Sequence, residues 1–317
     1  MKSERDPFEE IDCAVAGSGF VDRQVTDYIT DLQAAASVDQ PLTHQIASHL
    51  ISLRDGEVFL FTGFVVPDRY PQGENDGPLG AIALARALDR IGMKPTIWVD
   101  QQLLDTARWL AAELRVETPI RAIDLVELNR ITNHPSAAIA IEKPGQNEKN
   151  TMHTFDGIAI ESGSIPIDSL FVRWDEADVL TIGIGDRGNE IGFGTLRDQV
   201  VRLRPETATC RCGCGGGVVS STRTQLFLPA AVSNWGAYGI AASLGILCDN
   251  EALLLKPHEE ARLLQVAAVR GCVDGVRRRG GFGVDGISGQ TSVAVVEELG
   301  RIATRVIKAG DNENACA

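Results

Sequence analysis

Short apolar runs alternate with amphipathic helical segments from residue 57 to about residue 232, and this alternation constrains the fold more than any other feature of the chain. The runs are VFLFTGF (58–64), PTIWVD (95–100), IRAIDL (120–125), SAAIAIE (136–142), VLTIGIG (179–185) and QLFLPAAV (225–232). Apolar strands that alternate with helices are typical of a parallel sheet covered on both faces. The chain is therefore predicted to be an α/β protein with right-handed crossovers between its strands.

Helical periodicity is clearest in residues 79–93, where Ile82, Ala85, Leu88 and Ile91 stand about three residues apart. This spacing is typical of a helix with one buried stripe. Further helices are predicted near 20–36, 44–53, 101–115, 194–204, 235–247, 258–273 and 291–308.

We predict a single domain over residues 1–317, because no Pro- or Ser-rich linker divides the chain and no internal repeat is visible. Its expected architecture is a three-layer α/β/α fold with a mostly parallel sheet. A helical lead-in occupies residues 1–56, the core occupies 57–317, and the carboxy-terminal third is mostly helical.

The charge balance restricts the class of ligand. The 317 residues include 30 Lys plus Arg against 43 Asp plus Glu, a formal net charge of −13, which argues against a nucleic-acid partner. Membrane insertion is not expected, since no uncharged apolar stretch of about 18 residues occurs. The first ten residues, MKSERDPFEE, lack the apolar region of a secretory signal. We therefore expect a cytoplasmic protein that acts on a small molecule.

Seven cysteines, an odd number in a chain without an export signal, indicate reduced thiols rather than a disulfide framework. Three of them form a C-x-C-x-C segment, Cys210, Cys212 and Cys214, followed by three glycines. Zinc sites more often use C-x2-4-C pairs with a second pair or histidines elsewhere. The pattern favours a flexible surface loop, with metal binding as the alternative.

Ligands of open parallel sheets bind beyond the carboxyl ends of the strands, so the residues after each run are candidates for a site. After the first run, Asp76 or Gly77 can cap a helix whose first turn contains Pro78. The same helix start could instead offer free amides to an anionic ligand. Both interpretations stay open.

After the fourth run come Glu142 and Lys143. A glutamate that ends a buried strand is costly unless it is paired or faces a cleft, which favours a role in a site. After the sixth run, Ser233 or Asn234 is a natural helix cap, and Trp235 is either a core residue or the wall of a site. The Asp-Gly pairs at 274–275 and 285–286 are explained by turn chemistry.

Candidate site residues and glycines are most concentrated after the fifth run, where TIGIGDRGNEIGFG (181–194) carries five glycines in fourteen residues. Such a loop is costly to order, so close backbone approach or unusual dihedral angles are expected to require the glycines. Its polar members are Asp186, Arg187, Asn189 and Glu190. Asp186 and Glu190 could share a divalent cation such as Mg²⁺ or Mn²⁺, or act as an acid/base pair.

The same loop matches G-x-G-x-x-G at 183–188, but it follows the fifth strand and no ribose-binding acid is recognisable about 20 residues later, so NAD is not expected. There is also no G-x-S-x-G, H-E-x-x-H or P-loop motif. None of the five histidines is expected on a strand-end loop. Catalysis would therefore depend on carboxylates, backbone amides and a metal ion.

Together these segments resemble the family defined by the carboxy-terminal domain of D-glutamate cyclase. The resemblance covers roughly residues 58–290 in order. It is carried by TGF (62–64), ENDGPLGAIALARAL (74–88), AIEKPG (140–145), IGIGDRGNEIGFG (182–194), SNWGAYGIAASL (233–244) and the Asp-Gly pairs at 274–286.

The resemblance implies dehydration of D-glutamate, or a related small amino or carboxylic acid, to 5-oxo-D-proline. On that chemistry, Asp186, Glu190 and Glu142 are the candidate catalytic residues, with Asp186 and Glu190 as candidate metal ligands. The candidate substrate-binding residues are Asp76, Gly77, Lys143, Arg187, Gly188, Asn189, Asn234 and Trp235.

Two-domain members of the family carry an additional amino-terminal domain similar to a hydro-lyase, for which this chain lacks room. Two further alternatives therefore stay open. The chain could be a non-catalytic domain that binds a ligand, forms a homo-oligomer or completes a hydro-lyase-like partner. It could also be a metal-dependent hydrolase of a phosphorylated metabolite, if phosphate binds at the helix start between Gly77 and Gly80.

Overall fold

A computed structural model describes residues 5–37, 39–130 and 134–314, with side chains described up to residue 309. Six strands form one sheet, and each lies within or beside one of the six apolar runs. They are β1 (Glu57–Thr62), β2 (Lys94–Val99), β3 (Ile120–Ala122), β4 (Ala137–Ile141), β5 (Leu180–Gly185) and β6 (Leu226–Pro229). The order is β3-β2-β1-β4-β5-β6, and every neighbouring pair is parallel. The three-layer α/β/α prediction is confirmed.

The helices follow the predicted segments closely and add several short ones that the periodicity did not indicate. They are α1 (Pro7–Val15), α2 (Arg23–Ala36), α3 (Leu42–Ser52), α4 (Pro78–Arg90), α5 (Leu104–Glu113), α6 (Leu125–Arg130), α7 (Asp168–Glu176), α8 (Arg197–Leu203), α9 (Ser233–Leu247), α10 (Pro257–Val269) and α11 (Gly289–Asn314). A small antiparallel hairpin, β7 (Gly283–Val284) and β8 (Ile287–Ser288), lies outside the main sheet. Helices α1, α6 and α7 have nine residues or fewer, which is shorter than the window over which helical periodicity is judged.

The two faces of the sheet bury different side chains, as the two-residue period of a strand requires. In β1, Val58 and Leu60 join the hydrophobic cluster that includes α4, α5 and α9. Phe59 and Phe61 point to the opposite face, where they pack in an aromatic cluster with Trp174 of α7. Because both faces are covered, the central strands are apolar along their whole length.

The lead-in helices pack onto the core rather than standing apart from it. Ile11 of α1 and Leu50 of α3 belong to the same hydrophobic cluster as the sheet. The side chain of Gln33 in α2 donates a 3.0 Å hydrogen bond to the carbonyl of Pro229 at the end of β6. Within the described ranges, no helix is both long enough and apolar enough to cross a membrane.

The strand order places a switch point between β1 and β4, because the chain proceeds from β1 to β2 on one side and from β4 to β5 on the other. The loops that leave β1 and β4 therefore diverge at the carboxyl edge of the sheet. Ligands of open parallel sheets bind in such a crevice.

Candidate functional site

The crevice is closed on one side by the loop that follows β1, which returns to the sheet at Gly77. Gly77 has a φ of +93°, and a Cβ there would lie 2.5 Å from Thr62 Oγ1 and 2.7 Å from Glu142 Cβ. Only glycine permits this approach. Glu142, directly after β4, has a φ of +48°, a left-handed conformation that is costly for a side-chain-bearing residue and common at functional sites.

The glycine-rich loop after β5 folds back on the exit of β4. The amide of Ile191 donates to the carbonyl of Lys143 at 2.9 Å, and that of Gly145 donates to the carbonyl of Asn189 at 2.8 Å. At Gly183, a Cβ would lie 2.6 Å from the Ile191 carbonyl oxygen, so the returning loop requires glycine in β5. This fold brings Glu190 beside Glu142.

Three carboxylates from these loops form what we call the acidic cluster: Glu142, Asp186 and Glu190. Their oxygens lie within 4.8 Å of one another, and all three residues are buried. Ser233 Oγ donates to Glu142 Oε2 at 2.5 Å, and the amide of Gly188 donates to Glu190 Oε2 at 3.0 Å. Asp186 Oδ1 and Glu190 Oε1 have no hydrogen-bond partner in the part of the chain that the structure describes. Two buried oxygens are thus available to accept a hydrogen bond from a ligand, to take up a proton or to bind a cation.

Further acids surround the cluster, and two of them were missed in the sequence. Glu74 lines the same cavity, and Asp285 does so from the loop before β8. Arg187 lies between the acids, with its Nε 3.2 Å from Asp186 Oδ2 and one terminal nitrogen 2.5 Å from Asp285 Oδ2. Its guanidinium also stacks over Phe155, 4.6 Å from the ring centre. Arg187 is therefore already neutralised by protein carboxylates.

Burial and mutual repulsion make these acids hard to ionise. Burial, and then the neighbouring Asp186 and Glu190 charges, raise the pKa of Glu142 well above its ordinary value. Burial also raises the pKa of Glu74, Asp186 and Glu190. The pKa of Arg187 is raised as well, since the Asp285 and Asp186 charges outweigh the opposing effect of its burial. Near neutral pH, the cavity therefore needs protons or a cation.

Asp76 and Asn234 form a reciprocal cap between two helices. The carboxylate of Asp76 accepts hydrogen bonds from the amides of Ser233 at 3.0 Å and Asn234 at 2.8 Å, at the start of α9. Asn234 Oδ1 in turn accepts from the amides of Gly77 at 2.9 Å and Gly80 at 2.7 Å, at the start of α4. The amides proposed for an anion are thus occupied by Asn234, and Asp76 caps α9 rather than its own helix.

Asp76 nevertheless interacts electrostatically with the acids of the cavity. Burial, and then the Asp285 charge, raise its pKa to about 7, although hydrogen bonds from the backbone amides of Asn234, Ser233 and Gly77 act in the opposite direction. Its protonation is therefore linked to that of the surrounding acids.

Two predicted substrate-binding residues lie elsewhere. Lys143 is completely buried, and its Nζ is 2.6 Å from Asp100 Oδ2, so its charge is paired inside the protein. Trp235 is also completely buried, and its indole N–H donates to Ser292 Oγ at 2.9 Å. Lys143 follows Glu142 directly and points away from it, and Trp235 fills the core under α9. Both side chains therefore have their polar partners inside the protein.

The cavity between the acids is narrow, with about 10 Å³ of space for a water-sized sphere, which suffices for roughly one water or ion. It adjoins a groove of about 630 Å³ lined by Asp186, Arg187 and Asp285 together with Tyr28 and residues 19–22 of the lead-in. The lead-in therefore contributes to the entrance of the site. The polar composition of residues 1–56 did not predict this role.

A second group of potential ligand residues lies beside this site, and we call it the thiol cluster: His153, Cys210, Cys212 and Cys214. Their ligand atoms lie within 4.8 Å of one another and could hold a metal ion. The sequence favoured a flexible loop here and placed no histidine on a strand-end loop. The connection from β4 to α7, residues 142–167, carries His153 to the three thiols.

The chain is similar to known proteins of one family. A model of the D-glutamate cyclase-like, C-terminal family matches residues 22–300. The mitochondrial D-glutamate cyclase of Homo sapiens is 26% identical over 209 residues, which cover 60% of this chain and 33% of that protein. The chain thus matches about a third of that relative's length. The match extends over most of the described structure and includes every residue of the acidic cluster, and on this ground the chain belongs to the D-glutamate cyclase-like, C-terminal family.

Proposed function

We propose that the chain is a lyase that dehydrates D-glutamate, or a related small amino or carboxylic acid, to 5-oxo-D-proline at the acidic cluster. The observation that carries the proposal is the presence of two unpartnered buried carboxylate oxygens, on Asp186 and Glu190, at the switch point of a D-glutamate cyclase-like fold. Catalytic sites of open parallel sheets occupy this position.

The reaction needs groups that move protons. In the dehydration, the amine nitrogen attacks the γ-carboxyl carbon, a C–N bond forms, and one C–O bond breaks to release water. For the ammonium form of the substrate, two protons leave the nitrogen and two join the departing oxygen. Burial raises the pKa of Asp186 and Glu190, which favours their protonated forms, and such carboxyl groups can take up a proton and pass it on.

A dicarboxylate can enter an acidic cavity only if the charges are compensated. Arg187 is already paired with Asp186 and Asp285, so it contributes little free positive charge. The acidic cluster could instead bind a divalent cation, because hard ions such as Mg²⁺ and Mn²⁺ prefer carboxylate oxygens. The cation would polarise the γ-carboxyl group, and without it the cluster would have to be protonated.

A second candidate is a ligand-binding or partner-completing domain without turnover, acting as a homo-oligomer or with a hydro-lyase-like partner. It is favoured by the short match to the human relative, of which the chain covers 33%. The hydrolase alternative loses its support, since the amides at Gly77 and Gly80 are occupied by Asn234.

The test is incubation of the whole chain with D-glutamate, first metal-free and then with Mg²⁺ or Mn²⁺, followed by chiral chromatography of 5-oxoproline. We expect metal-stimulated formation of the D product, and L-glutamate serves as the stereochemical control. Absence of product under every condition would overturn the proposal for this chain. A rise in melting temperature with D-glutamate but without product would support the binding domain.

A further inference from the structure

We infer that the thiol cluster binds one zinc-class ion, and that this ion stabilises one wall of the cavity between the acids. The inference concerns a different ligand set from the proposed active site and does not depend on the lyase reaction. It rests on the ligand geometry, the surrounding hydrogen bonds and the path of the backbone from His153.

The four ligand atoms are already spaced almost as a tetrahedral site requires. His153 Nε2 lies 3.1 Å from Cys212 Sγ and 3.9 Å from Cys214 Sγ. Cys210 Sγ lies 3.3 Å from Cys212 Sγ and 3.4 Å from Cys214 Sγ. A tetrahedron with Zn–S bonds of about 2.3 Å has sulfur–sulfur edges of about 3.8 Å. Small side-chain movements would therefore complete the site.

The donor types select the class of ion. Three thiolates and one imidazole are soft or borderline ligands that suit Zn²⁺ and disfavour Mg²⁺ or Ca²⁺. Four protein ligands also fill a tetrahedral shell, which is typical of a structural rather than a catalytic zinc site. The short C-x-C-x-C spacing is accommodated by Gly213 and Gly215, whose φ values are +74° and +78°.

Hydrogen-bond donors around the sulfurs provide an independent indication. Asn147 Nδ2 lies 3.3 Å from Cys214 Sγ and donates at 2.7 Å to the carbonyl of Gly217. The amide of Gly216 also lies 3.5 Å from Cys214 Sγ. N–H groups directed at a sulfur stabilise the thiolate form, as the outer shell of a metal site does.

The backbone connects this cluster to the cavity. The carbonyl of His153 accepts a 3.0 Å hydrogen bond from Asn189, which lies in the glycine-rich loop and lines the cavity. The next two residues, Thr154 and Phe155, line it as well. The amide of Arg211 also donates to the carbonyl of Gly157 at 2.8 Å. An ion on His153 would thus tie the cysteine loop to the cavity wall.

The test begins with the metal content of the whole chain, purified under reducing conditions without chelator and measured by mass spectrometry of the elements. We expect about one zinc per chain, and loss of at least nine-tenths of it in Cys212→Ser and Cys214→Ser. Cys13→Ser, which changes an exposed cysteine on α1, is the matched control and should keep its zinc. If the serine variants fail to fold, His153→Cys provides the test instead. It offers a fourth thiolate and should retain the ion.

Cobalt replacement gives a second readout. The Co²⁺ form should show thiolate charge-transfer bands and intense tetrahedral d–d bands, both absent in Cys212→Ser. The inference is overturned if reduced wild-type protein takes up no zinc, or if Cys212→Ser binds as much as wild type. It is also overturned if thiol titration shows a disulfide among the three cysteines in protein purified under reducing conditions.

The stabilisation of the cavity wall by the ion is tested by a separate measurement. Removal of zinc should lower the melting temperature by at least about 5 °C and expose residues 205–217 to proteolysis. Unchanged protease resistance after zinc removal would overturn this role. Both readouts are independent of turnover, so failure of the proposed lyase activity would leave this result interpretable.

Discussion

The acidic cluster and the thiol cluster are both compact, since each has its ligand atoms within 4.8 Å of one another, but they are assembled in opposite ways. The acidic cluster draws Glu142, Asp186 and Glu190 from the ends of two neighbouring strands and is fully buried. The thiol cluster takes three of its four members from five consecutive residues near the surface. The strand ends of the sheet position the first, whereas the second lies on a loop that a bound ion would hold in place.

The difference also extends to chemistry. Buried carboxylates without partners favour protons or hard cations, whereas thiols with an imidazole favour soft ones. The two proposed sites would therefore select ions of different classes. The proposed reactive centre is thus positioned by the sheet, whereas one part of its wall is positioned by a loop.

The largest effect should follow from removal of charge in the acidic cluster. Asp186→Asn or Glu190→Gln should lower kcat/KM for D-glutamate by about 10²–10⁴-fold, since each removes a group that transfers a proton or binds a cation. Zinc content should not change. The melting temperature should stay the same or rise, because each substitution removes a buried carboxyl group that repels its neighbours.

Glu260→Gln is the matched control for this experiment. Glu260 is equally buried, but its oxygens accept hydrogen bonds from Tyr238 and Ser292, both at a distance from the cavity. We expect its substitution to affect stability and to leave turnover near that of wild type. Equal losses of activity in Glu260→Gln and Glu190→Gln would show that the acidic cluster has no special role.

The pH dependence of stability should be the next largest effect. In the folded protein the pKa of Asp76 is about 7, against an ordinary value of 3.8, so the folded state binds this proton more tightly than the unfolded state. The contribution of this proton to the free energy of unfolding is fully present below pH 4 and is lost as pH rises towards 7. Metal-free protein should therefore melt lower at pH 8 than at pH 5.5, by on the order of 5 °C.

Two comparisons sharpen this prediction. Addition of Mn²⁺ should raise the melting temperature more at pH 8 than at pH 5.5, since the cation replaces the lost protons. Glu190→Gln should flatten the pH profile because one member of the coupled set no longer titrates. Calorimetry of wild type and variant across this pH range is the measurement, and a melting temperature that rises with pH would contradict the assignment.

The smallest effect concerns the link between the two regions. Asn189→Ala removes the hydrogen bond to the His153 carbonyl, which should lower kcat/KM by about tenfold, or about 1.4 kcal/mol. Asn147→Ala loosens the other side of the thiol cluster and should weaken zinc retention with less effect on turnover. If both variants changed zinc and turnover in parallel, the two regions would act as one unit.

The sequence predicted what depends on local pattern. All six apolar runs contain strands, and the density of glycines identified the loop of Asp186 and Glu190. Asp285 was missed because its Asp-Gly turn has a sufficient local explanation, whereas its pairing with Arg187 spans 98 residues. His153 was missed because no pattern reveals the path of a long irregular connection. Only the folded chain shows which distant side chains meet.

The reciprocal cap has a consequence for the order in which the chain folds. Helix α4 is capped by Asn234, which lies 154 residues after the Gly80 amide that it binds, and α9 is capped by Asp76, 158 residues before Asn234. Neither helix start gains its cap until the chain from β1 to the start of α9 has been synthesised and the loops after β1 and β6 have met. Capping of both helices therefore depends on contacts of long sequence separation, and the cost of closing such long loops places it late in folding.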